Sequence, residues 1–328
     1  MTKKMIMSRT PLRITFTGGG TDIPNYFTYY GNGAVVNATI NKYIYITVNE
    51  KFDKKIRVSY SSTEIVDSVD KIKHPVVREA LKYLNISEKI EIVSMSDIPS
   101  NGTGLGSSST FTVGLLNALH AYKGEHASSS QLAREAVDIE RNILKEEGGM
   151  QDQYAAAFGG LNLIEFRKGP EVNVVPIIMP DGAMDQLQTH LLLLYTNLER
   201  RSNHIHTDQK ARISSLYENY AKMSGLSYKL MEVMNSGNYS EVGKLLHENW
   251  VEKRKLSTRI SQGEIDALYE KAMKNGAIGG KLIGSGGGGF LMFFADPKYH
   301  KLISDSLGLS PTTFRIVNRG SSIIFVGD

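Results

Sequence analysis

Twelve residues constrain this chain more than any others: Pro99-Ser100-Asn101-Gly102-Thr103-Gly104-Leu105-Gly106-Ser107-Ser108-Ser109-Thr110. Residues 89–96 before them are rich in β-branched side chains and bounded by turn formers, the pattern of a strand. After them Phe111, Leu115, Leu119 and Tyr122 recur at helical spacing, so the loop opens a helix. Gly102, Gly104 and Gly106 let the backbone take positive φ and let a ligand come close. A helix start offers unpaired N–H groups and the positive end of a dipole, which suits a phosphate. The alternative is a flexible Gly/Ser turn ahead of a capped helix. The loop is not a Walker A motif, because no lysine follows Gly106, and the His-Arg-Asp and Asp-Phe-Gly signatures of protein kinases are absent.

With 328 residues there is room for one large or two modest domains. No stretch approaches the roughly 18 apolar residues of a membrane span. The basic N-terminus lacks the apolar core of a signal peptide. The chain has no cysteine, which excludes disulfides, thiolate metal sites and thiol nucleophiles. A cytoplasmic protein is expected, with no membrane partner. The formal charge of +4 is mild, and no basic stripe is interleaved with aromatics, so a nucleic-acid partner is not expected either. A homodimer is compatible with the sequence, which does not fix the oligomeric state.

Residues 11–17 alternate, with Leu12, Ile14 and Phe16 on one face and Arg13, Thr15 and Thr17 on the other: a half-buried strand with an arginine on its polar side. It runs into Gly18-Gly19-Gly20-Thr21-Asp22, a flexible rim carrying a carboxylate, or a surface loop whose Asp22 caps the next turn. Residues 33–40 and 43–48 read as paired strands around Asn41-Lys42. A helix is expected over 128–146. Within it Asp138 has Arg134 and Arg141 at helical spacing, the pattern of a surface ion pair. Glu140 has Ala136, Val137, Ile143 and Leu144 there instead, so it sits on an apolar face without a local countercharge. Such a carboxylate must find a partner elsewhere in the fold or a cation. Gly148-Gly149 end that helix, and Asp152 stands in the first turn of the next, where the dipole alone would favour it.

Residues 170–182, rich in Pro and apolar side chains, are expected to end a first domain, and a strand over 190–196 opens the second half. Arg200 and Arg201 precede a predicted helix, where they suit an anion or are simply solvated. A second glycine-rich stretch runs from Gly279 to Phe290 and contains a formal G-x-G-x-x-G at Gly284, Gly286 and Gly289. The dinucleotide fingerprint needs a strand before and a helix after. Here a helix is predicted upstream and a strand, 290–294, comes next, so that reading is rejected.

These motifs resemble, in order, the three signatures of the GHMP kinases: the Arg13 strand with its glycine rim, the Pro-x-x-x-Gly-Leu-Gly-Ser-Ser loop, and the late glycine loop. They span most of the chain. The resemblance implies an α+β, two-domain fold. A ribosomal-protein-S5-like nucleotide domain would cover 1–182, a ferredoxin-like domain 183–328, with the active site between them. It implies ATP and Mg²⁺ as cofactors. The phosphates would lie on Gly102, Gly104, Leu105, Gly106, Ser107, Ser108 and Ser109, and the metal on Ser108 and Glu140, which stands twelve residues before Asp152. Asp152 would accept or orient the proton of the attacking hydroxyl, with Arg13 beside it. Gly19, Gly20, Thr21, Asp22, Gly286, Gly287 and Arg201 would meet the substrate.

Within the family the segments Arg9-Thr10-Pro11-Leu12-Arg13-Ile14 and Gly18-Gly19-Gly20-Thr21-Asp22 look most like the branch acting on D-glycero-D-manno-heptose 7-phosphate at its anomeric hydroxyl. A substrate that already carries a phosphate needs a second anion site, for which Arg200, Arg201, Arg9 and Lys281 are candidates. Three alternatives share the motifs: a kinase for an unphosphorylated sugar such as fucose, mannose or galactose, a diphosphomevalonate decarboxylase, and a non-catalytic sugar and ATP sensor. The Gly-Gly-Gly-Thr-Asp rim argues against the decarboxylase. The intact set of Arg13, Ser108, Glu140 and Asp152 argues against the sensor.

Overall fold

A computed structural model describes residues 5–99, 102–169, 171–198, 202–261 and 263–327, with the backbone alone over 202–206. Its first layer is built on β1 (Ile6–Thr17) and, after the single turn α1 (Pro24–Phe27), β2 (Gly33–Glu50). They pair antiparallel from Ile6 opposite Val48 to Thr17 opposite Val36. The two strands expected around Asn41-Lys42 are therefore one. The register shifts between Pro11 and Leu12, and Asn41 and Lys42 are taken up opposite that shift as a bulge. Pro11 has no N–H for the ladder, and a bulge is where a sheet tolerates a proline.

The first layer continues through β3 (Ile56–Ser59), β4 (Thr63–Val66), α2 (Pro75–Tyr83) and β5 (Ile90–Ser96). Then come α3 (Ser107–Tyr122), α4 (Ser129–Val137), a π turn (Asp138–Ile143), α5 (Gln151–Phe158), β6 (Leu161–Phe166) and β7 (Val172–Pro176). β2 is long enough to serve two partners: residues 44–50 pair with β5 and residues 33–38 with β6. α3 is buried on nearly every side. Its Gly114 comes so close to β1 that a Cβ there would stand 2.7 Å from the Thr10 hydroxyl. The helix expected over 128–146 is shorter: α4 stops at Val137 and the π turn takes over. Such a turn carries one residue more than an α turn and re-aims the side chains beyond it. Here it holds Glu140 buried.

The second layer comprises α6 (Ala183–His190), β8 (Leu191–Tyr195), α7 (Ser202–Asn235, with a non-helical residue at Leu216), α8 (Val242–Lys255), α9 (Gly263–Lys274), β9 (Ala277–Leu282), β10 (Phe290–Ala295) and α10 (His300–Leu307). Its sheet runs β8-β10-β9, and Pro311 bridges to Leu194 on the free side of β8. With that rudimentary edge the order is 4-1-3-2 with βαββαβ connectivity, the ferredoxin-like arrangement. β9 occupies the start of the stretch read as one glycine loop, so a strand lies on both sides of Gly284–Gly289 and no helix comes directly after it.

The last strand, β11 (Ser322–Val326), leaves this layer and pairs antiparallel with β1 at the edge of the first sheet. Residues 322–326, counted with the second unit in a division at 182, thus lie in the first sheet. β7 falls within the expected boundary stretch and is a paired strand of the first sheet too. No helix among the described residues is long and apolar enough to cross a membrane.

Candidate active site

A cavity of about 960 Å³ opens where the two layers meet. The glycine loop forms one wall. Gly102, Gly104 and Gly106 all have positive φ, at 74°, 82° and 79°. Gly106 is the N-cap of α3 and offers no side chain to its N–H groups. A Cβ on it would come within 3.2 Å of Asp152 Oδ2 and 3.3 Å of Arg13 Cγ, so only glycine lets the loop pass this close. Ser107 and Ser109 are buried; Ser108, between them, is exposed and lines the cavity. Leu105 is buried away from the cavity, and its carbonyl accepts the Arg13 backbone N–H at 3.0 Å.

Arg13 projects from β1 and Asp152 from the first turn of α5. Nε donates to Oδ1 and Nη2 to Oδ2, both at 2.7 Å, a two-pronged charged pair. Arg13 Nη1 donates to the Gly104 carbonyl, tying the pair to the glycine loop. The Arg13 side chain is only 5% exposed, that of Asp152 24%, so the carboxylate is the member open to a ligand.

Glu140, 1% exposed, accepts from Ser109 Oγ at 2.8 Å, Thr112 Oγ1 at 2.5 Å and Gln153 Nε2 at 2.6 Å. Arg141 Nη2 lies 3.7 Å away. Its partners thus come from α3, α5 and the next residue, and the carboxylate still reaches the cavity wall. Nearby, Glu146 is held above its usual range, first by loss of solvent and then by the Glu140 carboxylate. Arg141 spans the 146–149 loop by donating to the carbonyls of Glu146, Glu147 and Gly149.

Asp22 reaches the cavity but also works locally. It accepts from the N–H of Gly20 at 2.9 Å and from the backbone N–H and side-chain amide of Gln151, both at 3.1 Å. It therefore fixes the glycine rim to the start of α5. The Thr21 hydroxyl donates to the Ala34 carbonyl and accepts from the Ala34 N–H, and Thr21 is absent from the lining, which here includes Gly19, Gly20 and Asp22. Gly286 packs on Ile260 and Gly287 N–H donates to the Ile260 carbonyl. The late loop instead presents Gly284 and Ser285 to the cavity, while Gly289 abuts the Thr103 and Gly102 carbonyls. Arg9 lies over the Tyr43 ring at 4.7 Å and is not part of the wall. Arg200 and Arg201 lie outside the described residues.

Among the lining residues that escape the sequence reading are Gln151, Gln209 and Lys253. Lys253 carried a usable signal, since Leu246, Asn249, Trp250 and Lys253 fall at helical spacing and all are buried. A lysine on the apolar side of a helix announces a polar destination. Gln209 carried none.

The chain matches the model of the GHMP kinases N terminal domain over residues 71–160 and that of the GHMP kinases C terminal over 230–307. It is 34% identical to a D-glycero-alpha-D-manno-heptose 7-phosphate kinase of Campylobacter jejuni, covering 92% of each chain. It is 27% identical to an L-fucokinase/L-fucose-1-P guanylyltransferase of Bacteroides fragilis over 90% of this chain but 35% of that one. Among solved structures, a D-glycero-D-manno-heptose 1-phosphate kinase from Bacteroides thetaiotaomicron superposes with a TM-score of 0.81 at 26% identity, covering 98% and 100% of the two chains. Both family segments occur in order, the site lies between the two layers, and more than nine-tenths of a curated member aligns; the chain belongs to the GHMP kinases.

Proposed function

We propose that this kinase transfers the γ-phosphoryl group of ATP to the anomeric hydroxyl of D-glycero-D-manno-heptose 7-phosphate, giving the 1,7-bisphosphate. The observation that carries the substrate is the 34% identity to a heptose 7-phosphate kinase along 92% of both chains.

The residues fit both cofactors. Three positive-φ glycines and a side-chain-free N-cap make a cradle for phosphates that a Cβ at Gly106 would fill. Glu140 and the exposed Ser108 hydroxyl are hard oxygen donors on one wall, the kind Mg²⁺ takes alongside phosphate oxygens and water. When bound, the metal supplies charge neutralisation on the transferring phosphoryl group.

The chain's own residues do the rest. The loop amides position the phosphates, and the Arg13 fork fixes the Asp152 carboxylate with its open face to the cavity. Asp152 then takes the proton of the attacking hydroxyl as its oxygen bonds phosphorus and ADP departs. Arginine is permanently charged, so Arg13 orients Asp152 and does not shuttle protons. Catalysis of this kind is positioning and electrostatics.

The second reading, an unphosphorylated deoxyhexose substrate, is favoured by the likeness to the fucokinase part of a two-activity enzyme. Steady-state turnover of heptose 7-phosphate, unphosphorylated heptose, fucose and mannose with MgATP separates the two. The highest kcat/KM is expected for heptose 7-phosphate. A higher value for fucose or mannose overturns the substrate and leaves the kinase standing.

A further inference from the structure

The cavity lining is chemically mixed. The glycine loop, Ser108 and Glu140 line it with the Arg13–Asp152 pair. Lys253 joins the carbonyls of Gly19 and Gly284 at its wall. The Asp22 carboxylate is held at the same glycine rim by the Gly20 N–H, and Gln209 lines the cavity from α7. We propose that Lys253 and Gln209 receive the substrate's distal phosphate, an inference that rests on the acceptor being a sugar phosphate.

Lys253 is 4% exposed, and its ammonium donates to the carbonyls of Gly19 at 3.2 Å and Gly284 at 2.9 Å. Two glycine loops thus hold the charge at the cavity wall, where low dielectric strengthens its pull on an anion. Gln209, on α7, is 1% exposed, and its Nε2 has no hydrogen-bond partner among the described residues. A buried amide donor that faces a cavity and bonds nothing is a ligand group in waiting.

A third observation concerns charge. Lys281 on β9 is fully buried, and its Nζ too has no hydrogen-bond partner among the described residues. Burial disfavours its ammonium form most, and the neighbouring charges of Lys253 and Arg13 disfavour it further, with Asp22 acting the other way. Lys253 and Lys281 therefore lie near one another at this wall, while Arg13 is already paired with Asp152. A sugar hydroxyl would satisfy Gln209 alone, whereas a phosphate oxygen accepts from an amide N–H and carries charge for an ammonium as well. The other lining cations are placed differently: Arg141 is taken up by loop carbonyls and Lys145 is exposed at the rim.

The test compares kcat/KM for heptose 7-phosphate with that for unphosphorylated heptose in Lys253→Met, Lys253→Arg and Gln209→Ala. The ratio should fall on the order of a hundredfold in Lys253→Met and about tenfold in Gln209→Ala, and Lys253→Arg should keep most of it. Calorimetric titration with inorganic phosphate, in the presence of a saturating non-hydrolysable ATP analogue, should show binding to the parent enzyme that weakens in Gln209→Ala. Ratios unmoved in Gln209→Ala and Lys253→Met overturn the inference. So does phosphate binding that vanishes once the ATP analogue is present, which would place the anion on the glycine loop only. If Lys253→Met does not fold, Gln209→Ala and Lys253→Arg decide the matter. If the enzyme ignores heptose 7-phosphate but still binds phosphate alongside the analogue through Gln209, the substrate reading fails and the anion site stands.

Discussion

Asp152 meets two protons' worth of guanidinium on one side and the open cavity on the other. Replacing it by Asn removes the proton acceptor and faces an amide N–H toward Arg13. Asp152→Asn should lose activity by about a thousandfold while still binding ATP, measured by nucleotide titration beside turnover. Full activity in that variant would take Asp152 out of the mechanism. Glu140→Gln probes a different role. Thr112 Oγ1 also lies 3.2 Å from the Ser108 carbonyl, so its hydroxyl can turn to that acceptor and receive the new amide N–H. The fold should therefore hold, with Tm within about 4 °C, while the Mg²⁺ concentration needed for half-maximal rate rises. A large drop in Tm with no Mg²⁺ effect would make Glu140 a structural carboxylate only. Glu140 was legible as a carboxylate on an apolar face from its local neighbours, whereas Asp152 was singled out only by the family resemblance, since a carboxylate in a helix's first turn is commonplace. Thr21 was misplaced because its partner is the Ala34 backbone, which only the folded sheet brings to it.

At the scale of elements, α3 carries two duties at its two ends. Its start faces the cavity; near its end His120 is clamped between Glu125 and Glu135, at 2.9 and 2.7 Å, joining α3 to α4. The hydrogen bond to Glu135 is the chief cause that raises the His120 pKa above its ordinary value, against loss of solvent. Glu135, despite burial, is held below its ordinary value by the same bond. The histidine's contribution to stability is thus complete below its unfolded pKa of about 6.5 and is lost as pH rises through the higher folded value. The glutamate's is complete above about 4.3 and is lost as pH falls through its lowered value. The Tm advantage of the parent over His120→Gln should be largest near pH 6 and shrink toward pH 9; an advantage that grows with pH contradicts the pairing. The helix itself was readable from its apolar repeat. The π turn after α4 was not, since a single extra residue per turn leaves no mark on a 3.6-residue pattern.

At the scale of the whole molecule, the layers are tied to each other, as where the Gly18 N–H donates to Asn249 of α8 at 2.9 Å and Tyr228 of α7 to Glu165 of β6 at 2.7 Å, and each is tied within itself. Glu252 on α8 accepts from Asn219 and Lys222 of α7 and from Lys255, which hold its carboxyl down to about 2 despite burial. Thr10 of β1 and Ser321, just before β11, share a hydrogen bond across 311 positions of sequence. Removing residues 322–328 should lower Tm and promote association through the bared β1 edge, read by calorimetry and light scattering. An unchanged Tm and a monodisperse product would show that the edge needs no cover. The apolar run Ile323-Ile324-Phe325-Val326 is itself the pattern of a strand, but its partner is not legible, because β1 stands at the other end of the chain. The pairing also sets an order of events at the ribosome. At roughly 5–20 residues per second, β1 emerges some tens of seconds before the strand that covers it. For that interval the strand bearing Arg13 has an open edge, so nascent chains on one message present matching unpaired ladders to one another.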